Sequence, residues 1–480
     1  MTAAASSTGA DSAALSAAVP GAMLILDATE TDLPLKTEVY VYIVGLVVDT
    51  YYYIDANGMP QEMSESDNTI PAQTFPGMAA LSPDAQAALA PNYPLAWADW
   101  SLRVPVGGNL VMPLGNINTT NIPGLGTGTS AFSGRVYFSV GVPRLPFTVQ
   151  DDGYTAPVYG NGSGIGGSLT LYDWIEFSYD SGGNFNGNPT QVNQFGFPII
   201  LIGTPQGGSP YPAQGQLDTA RSAILSDFAN GDAPFGGADV VVAVPDAATS
   251  AYPAGIDYLR AISPTTVSGF STSLNTYFDN DITTAYAAWQ ATPLVTVDAS
   301  TGYYSGVVFP LVGYSSVNPP NGYPTGSLAF YAGNFPTMAA LVSALQANPS
   351  LAPAFYLTGG SNRVTSNDIW QCAGSIANGG DAQKNVGKMV GAAFNRGMIV
   401  NGTTVTTSLD DSNCSQLAPS FYASGTTFNP WAQAFHGYSE NNLAYAFPYD
   451  DVCDQNPSIP PSGDTLVASF IRMKLGKFFS

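Results

Sequence analysis

The order of strand-like and helix-like stretches along this chain is the feature that most constrains its fold. Residues 34–202 contain strand-like runs separated by loops rich in proline, glycine and asparagine, of which 37–49 is the clearest run. Residues 213–371 mix helical and strand patterns, and the strongest helical period covers 271–289. After residue 385 a helical start gives way to strand-like runs again. This order predicts a mainly β fold with a mixed α/β unit inserted into a β unit built from both ends of the chain.

The expected boundaries follow from these patterns. We predict a flexible N-terminal segment over 1–30, a β unit formed by 31–210 and 390–480, and a mixed α/β unit over 211–389. The predicted strands of the β unit are 37–49, 51–54, 101–106, 133–142, 168–179, 191–202, 444–449 and 465–471. The predicted elements of the mixed unit are helices 217–228, 271–289 and 337–346 and strands 238–244 and 306–312, followed by a helical start at 386–395.

The charge of the chain restricts its partners. Asp and Glu number 35 against 13 Lys and Arg, for a net charge of −22. Such a charge opposes binding to nucleic acid or to an anionic membrane, whereas a neutral polysaccharide meets no repulsion. An aromatic content of 12% argues against disorder, and no apolar run reaches the ~20 residues of a membrane helix. We therefore expect a monomer that binds neither nucleic acid nor membrane.

Few residues could hold a metal ion or a cofactor. His436 is the single histidine, and we expect it to pack among aromatic neighbours. The cysteines Cys372, Cys414 and Cys453 fit no zinc spacing and allow at most one intramolecular disulfide. We expect no metal and no cofactor. Four Asn-x-Ser/Thr sequons and the scarcity of lysine favour a secreted or extracellular protein, although no signal peptide is recognisable.

One glutamate stands out in the segment 172–197, YDWIEFSYDSGGNFNGNPTQVNQFGF. Glu176 lies in a strand-like run beside Trp174 and Phe177, where it is either paired with an arginine, such as Arg135 or Arg144, or held for proton transfer. Glycoside hydrolysis needs two carboxyl groups that flank one bond, and aromatic rings give sugars flat faces to stack on. Composition alone fits a structural β protein almost as well.

Several short motifs lie in order along residues 37–470: VYVYIVG at 39–45, DANG at 55–58, SGRVYFS at 133–139, LYDWIEF at 171–177, PTQVNQF at 189–195, LRAISP at 259–264, AFNR at 393–396 and AYAFPYDD at 444–451. Together they resemble glycoside hydrolase family 64, whose members are endo-acting β-1,3-glucanases related to thaumatin-like proteins. The resemblance implies a thaumatin-like β-barrel or sandwich with an inserted mixed α/β domain and a wide acidic groove between them.

The resemblance also implies a reaction and a set of site residues. It implies hydrolysis of β-1,3-glucan with inversion, in which Glu176 is the general acid and Trp174 and Phe177 are its apolar neighbours. The substrate-binding residues that it implies are Ser178, Asp180, Phe185 and Trp174.

The chain departs from the family pattern at Asn193, where the resemblance implies an aspartate general base. An amide cannot accept the proton of an attacking water, and loss of a general base costs ~10²–10⁴ in rate. Three interpretations stay open. The residue is an inactivating Asp→Asn change; or Asp173 or Asp180 serves instead, although strand alternation turns Asp173 away from Glu176; or the protein binds β-1,3-glucan without cleaving it, as a lectin does.

Overall fold

A computed structural model describes most of the chain, and all structural statements below concern the residues that it describes. These are 22–71, 83, 96–142, 144–150, 153–155, 169–216, 218–232, 235–237, 240–244, 252–264, 274–359, 362–461 and 464–479.

The strands and helices have the following bounds. The strands are β1 Met23–Asp27, β2 Glu38–Val47, β3 Thr50–Ile54, β4 Pro60–Glu62, β5 Ile70–Pro71, β6 Ala96–Trp97, β7 Leu102–Pro105, β8 Asn109–Pro113, β9 Phe132–Val140, β10 Thr148–Gln150, β11 Gly153–Thr155, β12 Leu171–Tyr179, β13 Asn184–Pro189, β14 Gln194–Phe195, β15 Ile199–Pro205, β16 Val241–Ala243, β17 Tyr258–Ile262, β18 Leu294–Asp298, β19 Gly302–Val307, β20 Leu328–Ala332, β21 Phe355–Leu357, β22 Val400–Asn401, β23 Thr404–Val405, β24 Ser408–Asp410 and β25 Leu466–Leu475. The α-helices are α1 Arg221–Asn230, α2 Asp279–Trp289, α3 Met338–Ala347, α4 Ser366–Gln371, α5 Asp381–Asn395, α6 Cys414–Leu417 and α7 Pro430–Tyr438.

A large curled sheet organises the first part of the molecule. It contains 11 of the described strands, in the order β4-β3-β2-β9-β12-β13-β25-β1-β8, with β15 paired to β25 and β7 paired to β2. The C-terminal strand β25 runs parallel to β1 and antiparallel to β15, so both ends of the described chain meet inside one sheet. With 31% strand and 24% helix, the chain is mainly β, which confirms the predicted class.

Strand alternation gives this sheet two different faces. On one face Ile43, Val136 and Ile175 stand side by side across three strands and belong to the first hydrophobic core. On the other face Tyr42 and Tyr137 share a buried aromatic cluster with the rings of β12 and of the segment 144–149. Both faces are therefore apolar over much of their area, and the site lies where the second face becomes polar.

The second core is built around the mixed helices and strands. Its buried residues run from Phe195 to Phe447, and they include one face of α5 and of α7. The predicted boundary at residue 390 is therefore wrong, because residues 390–447 pack into this core. Val244, Tyr252, Ile256 and Leu259 belong to the first core, and the chain contributes to that core again over 459–478.

The prediction of a flexible segment over residues 1–30 is also wrong in part. Residues 23–27 lie in the predicted flexible segment 1–30, yet they form β1, a buried strand between β25 and β8. The apolar residues 23–26 explain this, because they fill the space between β25 and β8 in the sheet. Residues 1–21 lie outside the described part.

Other elements differ from their prediction for local reasons. The predicted strand 191–202 is two strands, β14 and β15, because Gly196 and Pro198 interrupt the run. The predicted strand 444–449 is absent: the segment turns instead, and the Asp450 carboxylate accepts a hydrogen bond from the Ala446 amide at 3.0 Å. Predicted helix 271–289 begins as α2 at Asp279 in the described chain, and 265–273 lie outside it.

Two covalent and polar features stabilise the second core. Cys414 and Cys453 form a disulfide, and Cys372 is a buried free thiol, in agreement with the limit of one bond. His436 is buried, and its Nε2 lies 3.1 Å from the carboxylate of Asp450, which the Arg396 guanidinium also contacts at 2.9 Å. No helix in the described part is long and apolar enough to cross a membrane.

Candidate functional site

Glu176 lies in the middle of β12, on the sheet face opposite the first core. Pairing places it directly beside Arg135 of β9 and Asn188 of β13. Directly opposed residues of neighbouring strands project from the same face, so these three side chains stand in one row. The next row, two residues further along β12, contains Ser178, Ser133 and Asn186.

An ion pair joins the first two members of this row. The Nη2 of Arg135 lies 2.8 Å and its Nε lies 3.1 Å from Oε1 of Glu176, so both bonds reach one carboxylate oxygen. The Glu176 side chain remains 37% exposed and that of Arg135 32% exposed. Burial lowers the pKa of Arg135, but Tyr137 and Glu176 raise it more, so the guanidinium stays charged. The predicted pairing with Arg135 is therefore present, at the surface rather than inside a core.

A pocket of about 360 Å³ opens over these two rows. It forms where serine, glycine and asparagine replace the tyrosine and tryptophan residues that cover the rest of this face. The side chains and backbone that line it belong to Gly45, Leu46, Tyr51, Ser133, Gly134, Arg135, Tyr154, Glu176, Phe177, Ser178, Asn186 and Asn188. Hydroxyl and amide groups beside a carboxylate and two tyrosines are the groups that bind sugar hydroxyls and sugar faces.

The aromatic neighbours expected for Glu176 take different positions. Trp174 shares its face but is 2% exposed, and the Arg135 guanidinium lies 5.2 Å from the centroid of its ring. Phe177 turns to the opposite face and belongs to the first core, where it stacks on Phe185 at 5.9 Å. The structure therefore buries Phe185 and Trp174, two of the predicted substrate-binding residues, away from the open pocket.

Asp180 also lies outside the residues that line the pocket. Its Oδ1 accepts hydrogen bonds from the amides of Gly182 at 2.8 Å and Asn184 at 2.9 Å, and its Oδ2 accepts one from the Asn184 side chain. These bonds close the turn between β12 and β13. Of the predicted site residues, the structure brings Glu176 and Ser178 together in the pocket.

Asn193 lies in the segment 190–197, which connects the two cores. Its carbonyl oxygen accepts a hydrogen bond from the Ser263 amide at 3.0 Å, and its side chain is partly buried. Two residues earlier, the Gln191 amide donates to the Tyr445 carbonyl at 2.8 Å, and the Trp431 indole donates to the Gln191 carbonyl at 2.9 Å. The backbone around position 193 is thus held by parts of the chain that are distant in sequence.

Asp173 faces away from Glu176, as strand alternation predicts, and it is buried. Burial raises the pKa of Asp173 from 3.8 to about 7, although the amides of Gly196, Trp174 and Phe197 and the charge of Arg260 act in the opposite direction. Its carboxylate is committed to these backbone donors and does not reach the pocket face.

The charges that act on Tyr445 indicate that the site is acidic on the side of the second core. Burial, followed by the charges of Asp451 and Glu176, raises the pKa of Tyr445. Both carboxylates therefore act on the same phenol, and Asp451 is exposed. In the described residues, no three His, Cys, Asp or Glu side chains lie close enough together to hold a metal ion.

Sequence reasoning missed most of the residues that line the pocket. Asn186 and Asn188 alternate along β13 opposite Ser178 and Glu176, and the spacing of two between the asparagines is the signal that could have found them. Tyr51 and Tyr154 come from β3 and β11, and no local pattern links either strand to Glu176.

Comparison with known proteins agrees with the fold and with the motifs. A family model described as β-1,3-glucanase, glycoside hydrolase family 64, matches residues 29–464. The chain belongs to this family. No curated protein sequence matches this family 64 chain.

Solved structures resemble the family 64 chain over nearly its whole length. One is a laminaripentaose-producing β-1,3-glucanase in complex with laminaritetraose, with a TM-score of 0.64 and 16% identity over 96% of this chain and 100% of that one. Another is a β-1,3-glucanase domain from Clostridium beijerinckii, with a TM-score of 0.61 and 19% identity over 95% of this chain and 98% of that one. At these identities the likeness concerns the fold.

Proposed function

We propose that this protein hydrolyses β-1,3-glucan at internal bonds with inversion, and that Glu176 is its general acid. The observation that carries the proposal is the position of Glu176, a partly exposed carboxylate in a pocket lined by hydroxyl and amide groups. Membership of a β-1,3-glucanase family supports the choice of polymer. The net charge of −22 is compatible with an uncharged substrate.

The glucan chain lies, in this proposal, across the pocket and in a groove between the two cores of a thaumatin-like fold. Ser178, Asn186 and Asn188 bind sugar hydroxyls from the floor, and Tyr51 and Tyr154 flank them. The protein acts as a secreted monomer without metal or cofactor, and its partners include neither nucleic acid nor membrane.

Catalysis requires a proton on the leaving oxygen and an activated water on the other side of the sugar. Glu176 takes a proton from solvent on Oε2 and passes it to the leaving oxygen, while its Oε1 keeps the hydrogen bonds from Arg135. Asn193 occupies the position of the base and can orient a water by hydrogen bonding without taking its proton. We therefore expect turnover that is slow, by ~10²–10⁴, relative to a variant with a carboxylate at position 193.

A second candidate function is β-1,3-glucan binding without cleavage. Two observations favour it: the amide at position 193, and the ion pair that occupies Glu176 with Arg135 at 2.8 Å. A lectin needs only the polar pocket and its tyrosines. An inactivating Asp→Asn change at position 193 would give the same behaviour.

Release of reducing ends from laminarin, a β-1,3-glucan, separates these functions. We expect slow release by the unaltered protein, faster release by Asn193→Asp, and loss of release by Glu176→Gln. Glu62→Gln is the matched control, because Glu62 is an exposed strand residue of the same sheet that does not line the pocket. Nuclear magnetic resonance of the first product anomer tests inversion.

Affinity electrophoresis in laminarin gels provides the second measurement. Retardation of both the unaltered protein and Glu176→Gln, without product from either the unaltered protein or Asn193→Asp, would establish the lectin function. Absence of both product and retardation would refute β-1,3-glucan as the ligand.

A further inference from the structure

The peptide unit of Gly196 is held at both ends by buried ionisable side chains. Its amide donates to Oδ2 of Asp173 at 2.7 Å, and its carbonyl oxygen accepts from Nε of Arg221 at 2.6 Å. Asp173 is 3% exposed and Arg221 is 2% exposed. The charged Arg221 donor makes its bond stronger than a bond between two neutral groups, so this peptide is fixed more firmly than a peptide in a neutral loop.

The segment also lies in direct contact with the backbone of β12. A Cβ atom at Gly196 would come within 2.2 Å of the Tyr172 carbonyl oxygen, so no larger residue fits there without a shift. The Gln194 side chain donates to the same carbonyl at 2.8 Å. Arg221 donates further to the carbonyl of Leu259 in β17, the strand that pairs with β14.

These contacts connect the two positions that matter for the reaction. Asp173 stands three residues before Glu176 on β12, and Gly196 stands three residues after position 193. On the basis of the function proposed above, we propose that Asp173 and Arg221 are positioning residues that clamp the Gly196 peptide. The clamp sets where the side chain of residue 193 stands relative to Glu176.

The expected effect of loosening the clamp is large because inverting hydrolysis depends on a narrow geometry. A water must fit between the sugar and the group at position 193, and a misplacement of about 1 Å can cost ~10² in rate. Sugar binding depends on the pocket over β9, β12 and β13, which the clamp does not touch. A loosened clamp should therefore lower kcat and leave KM nearly unchanged.

The test measures how much activity Asn193→Asp adds in different backgrounds. Asp173→Asn keeps the shape but turns one of two acceptor oxygens into an N–H donor, so one backbone amide loses its acceptor. We expect Asn193→Asp alone to raise kcat on laminarin ~10²-fold. In the Asp173→Asn background we expect this gain to fall below about tenfold, with KM unchanged.

Asp27→Asn is the matched control. Asp27 is 2% exposed in β1 of the same sheet, and its carboxylate binds Thr29 and Arg472 without touching segment 190–197. The rise in kcat that Asn193→Asp causes should persist in the Asp27→Asn background. Circular dichroism checks that each variant is folded, and Arg221→Lys loosens the clamp from its other side if Asp173→Asn does not fold.

The outcomes separate this inference from the function on which it rests. If Asn193→Asp raises kcat by its full factor in both the Asp173→Asn and the Arg221→Lys backgrounds, the clamp is refuted. The proposed hydrolase function would not be affected by that result. A proportional rise in KM would show that the clamp serves binding rather than the placement of residue 193, and would overturn it too. If Asn193→Asp and the unaltered protein both release no sugar, the proposed function falls, and the inference falls with it.

Discussion

Asp173 makes the stability of the first core depend on pH in a defined direction. Burial raises its pKa from 3.8 to about 7. If the unfolded chain keeps the ordinary value, this difference corresponds to ~4 kcal/mol of folding free energy between the two ends of the range. The group is fully buried, so solvent screening reduces this figure little.

The direction of this pH dependence follows from the number of protons that the folded and the unfolded state bind. Between about pH 4 and about pH 7 the folded state keeps a proton on Asp173 that the unfolded state has released. The contribution to stability is therefore fully present below about pH 4, and it is lost as the pH rises to about 7. This direction is opposite to that of a carboxylate whose pKa is lowered by a salt bridge.

Urea unfolding of the unaltered protein and of Asp173→Asn isolates this contribution, because asparagine does not ionise. The free energy of unfolding of the unaltered protein, minus that of the variant, should fall by up to ~4 kcal/mol as the pH rises across that range. High salt should leave the fall unchanged, since a buried group is screened little. A constant difference, or one that grows with pH, would refute the reasoning and would show that the backbone donors and Arg260 outweigh burial.

Three further predictions concern other parts of the molecule. Replacing Cys414 and Cys453 with serine should lower the free energy of unfolding by about 4 kcal/mol, since the bond closes a loop of 39 residues; an unchanged urea midpoint would contradict this. Asp450→Asn should cost ~3–5 kcal/mol, because it leaves a buried guanidinium without its charged partner, and a thermal unfolding midpoint equal to that of the unaltered protein would disprove it. Arg135→Gln should change stability by at most ~1 kcal/mol, because the pair is partly exposed. It should nevertheless lower laminarin hydrolysis at least about tenfold, since Glu176 loses the group that orients it, and equal rates would exclude that orienting role.

The strands that carry the site could be predicted because their patterns are strictly local. The alternating direction of side chains in β2, β9 and β12 indicates which residues share a face. It correctly predicts that Asp173 faces away from Glu176. The apolar face of β12 also follows from this pattern. The position of Phe185 does not, because its burial against Phe177 depends on the register between β12 and β13.

The elements that were predicted wrongly depend on contacts between residues that are distant in sequence. The segment 444–449 reads as a strand, yet no neighbouring strand pairs with it in the described chain, and a buried carboxylate at Asp450 folds it into turns instead. The strand β1 depends on β25, more than four hundred residues later, so nothing near residue 23 reveals its partner. The pocket likewise draws Tyr51, Tyr154 and Asn188 from three separate strands.

The pairing of β1 with β25 has a consequence for biosynthesis. The buried residues of the second core end at Phe447, so this core can form while the last strand is still inside the ribosome. The large sheet has to wait, because β25 joins β13, β15 and β1, and Leu475 must emerge first. Until then those three strands keep unpaired edges, and we expect a chain that ends before β25 to aggregate through them.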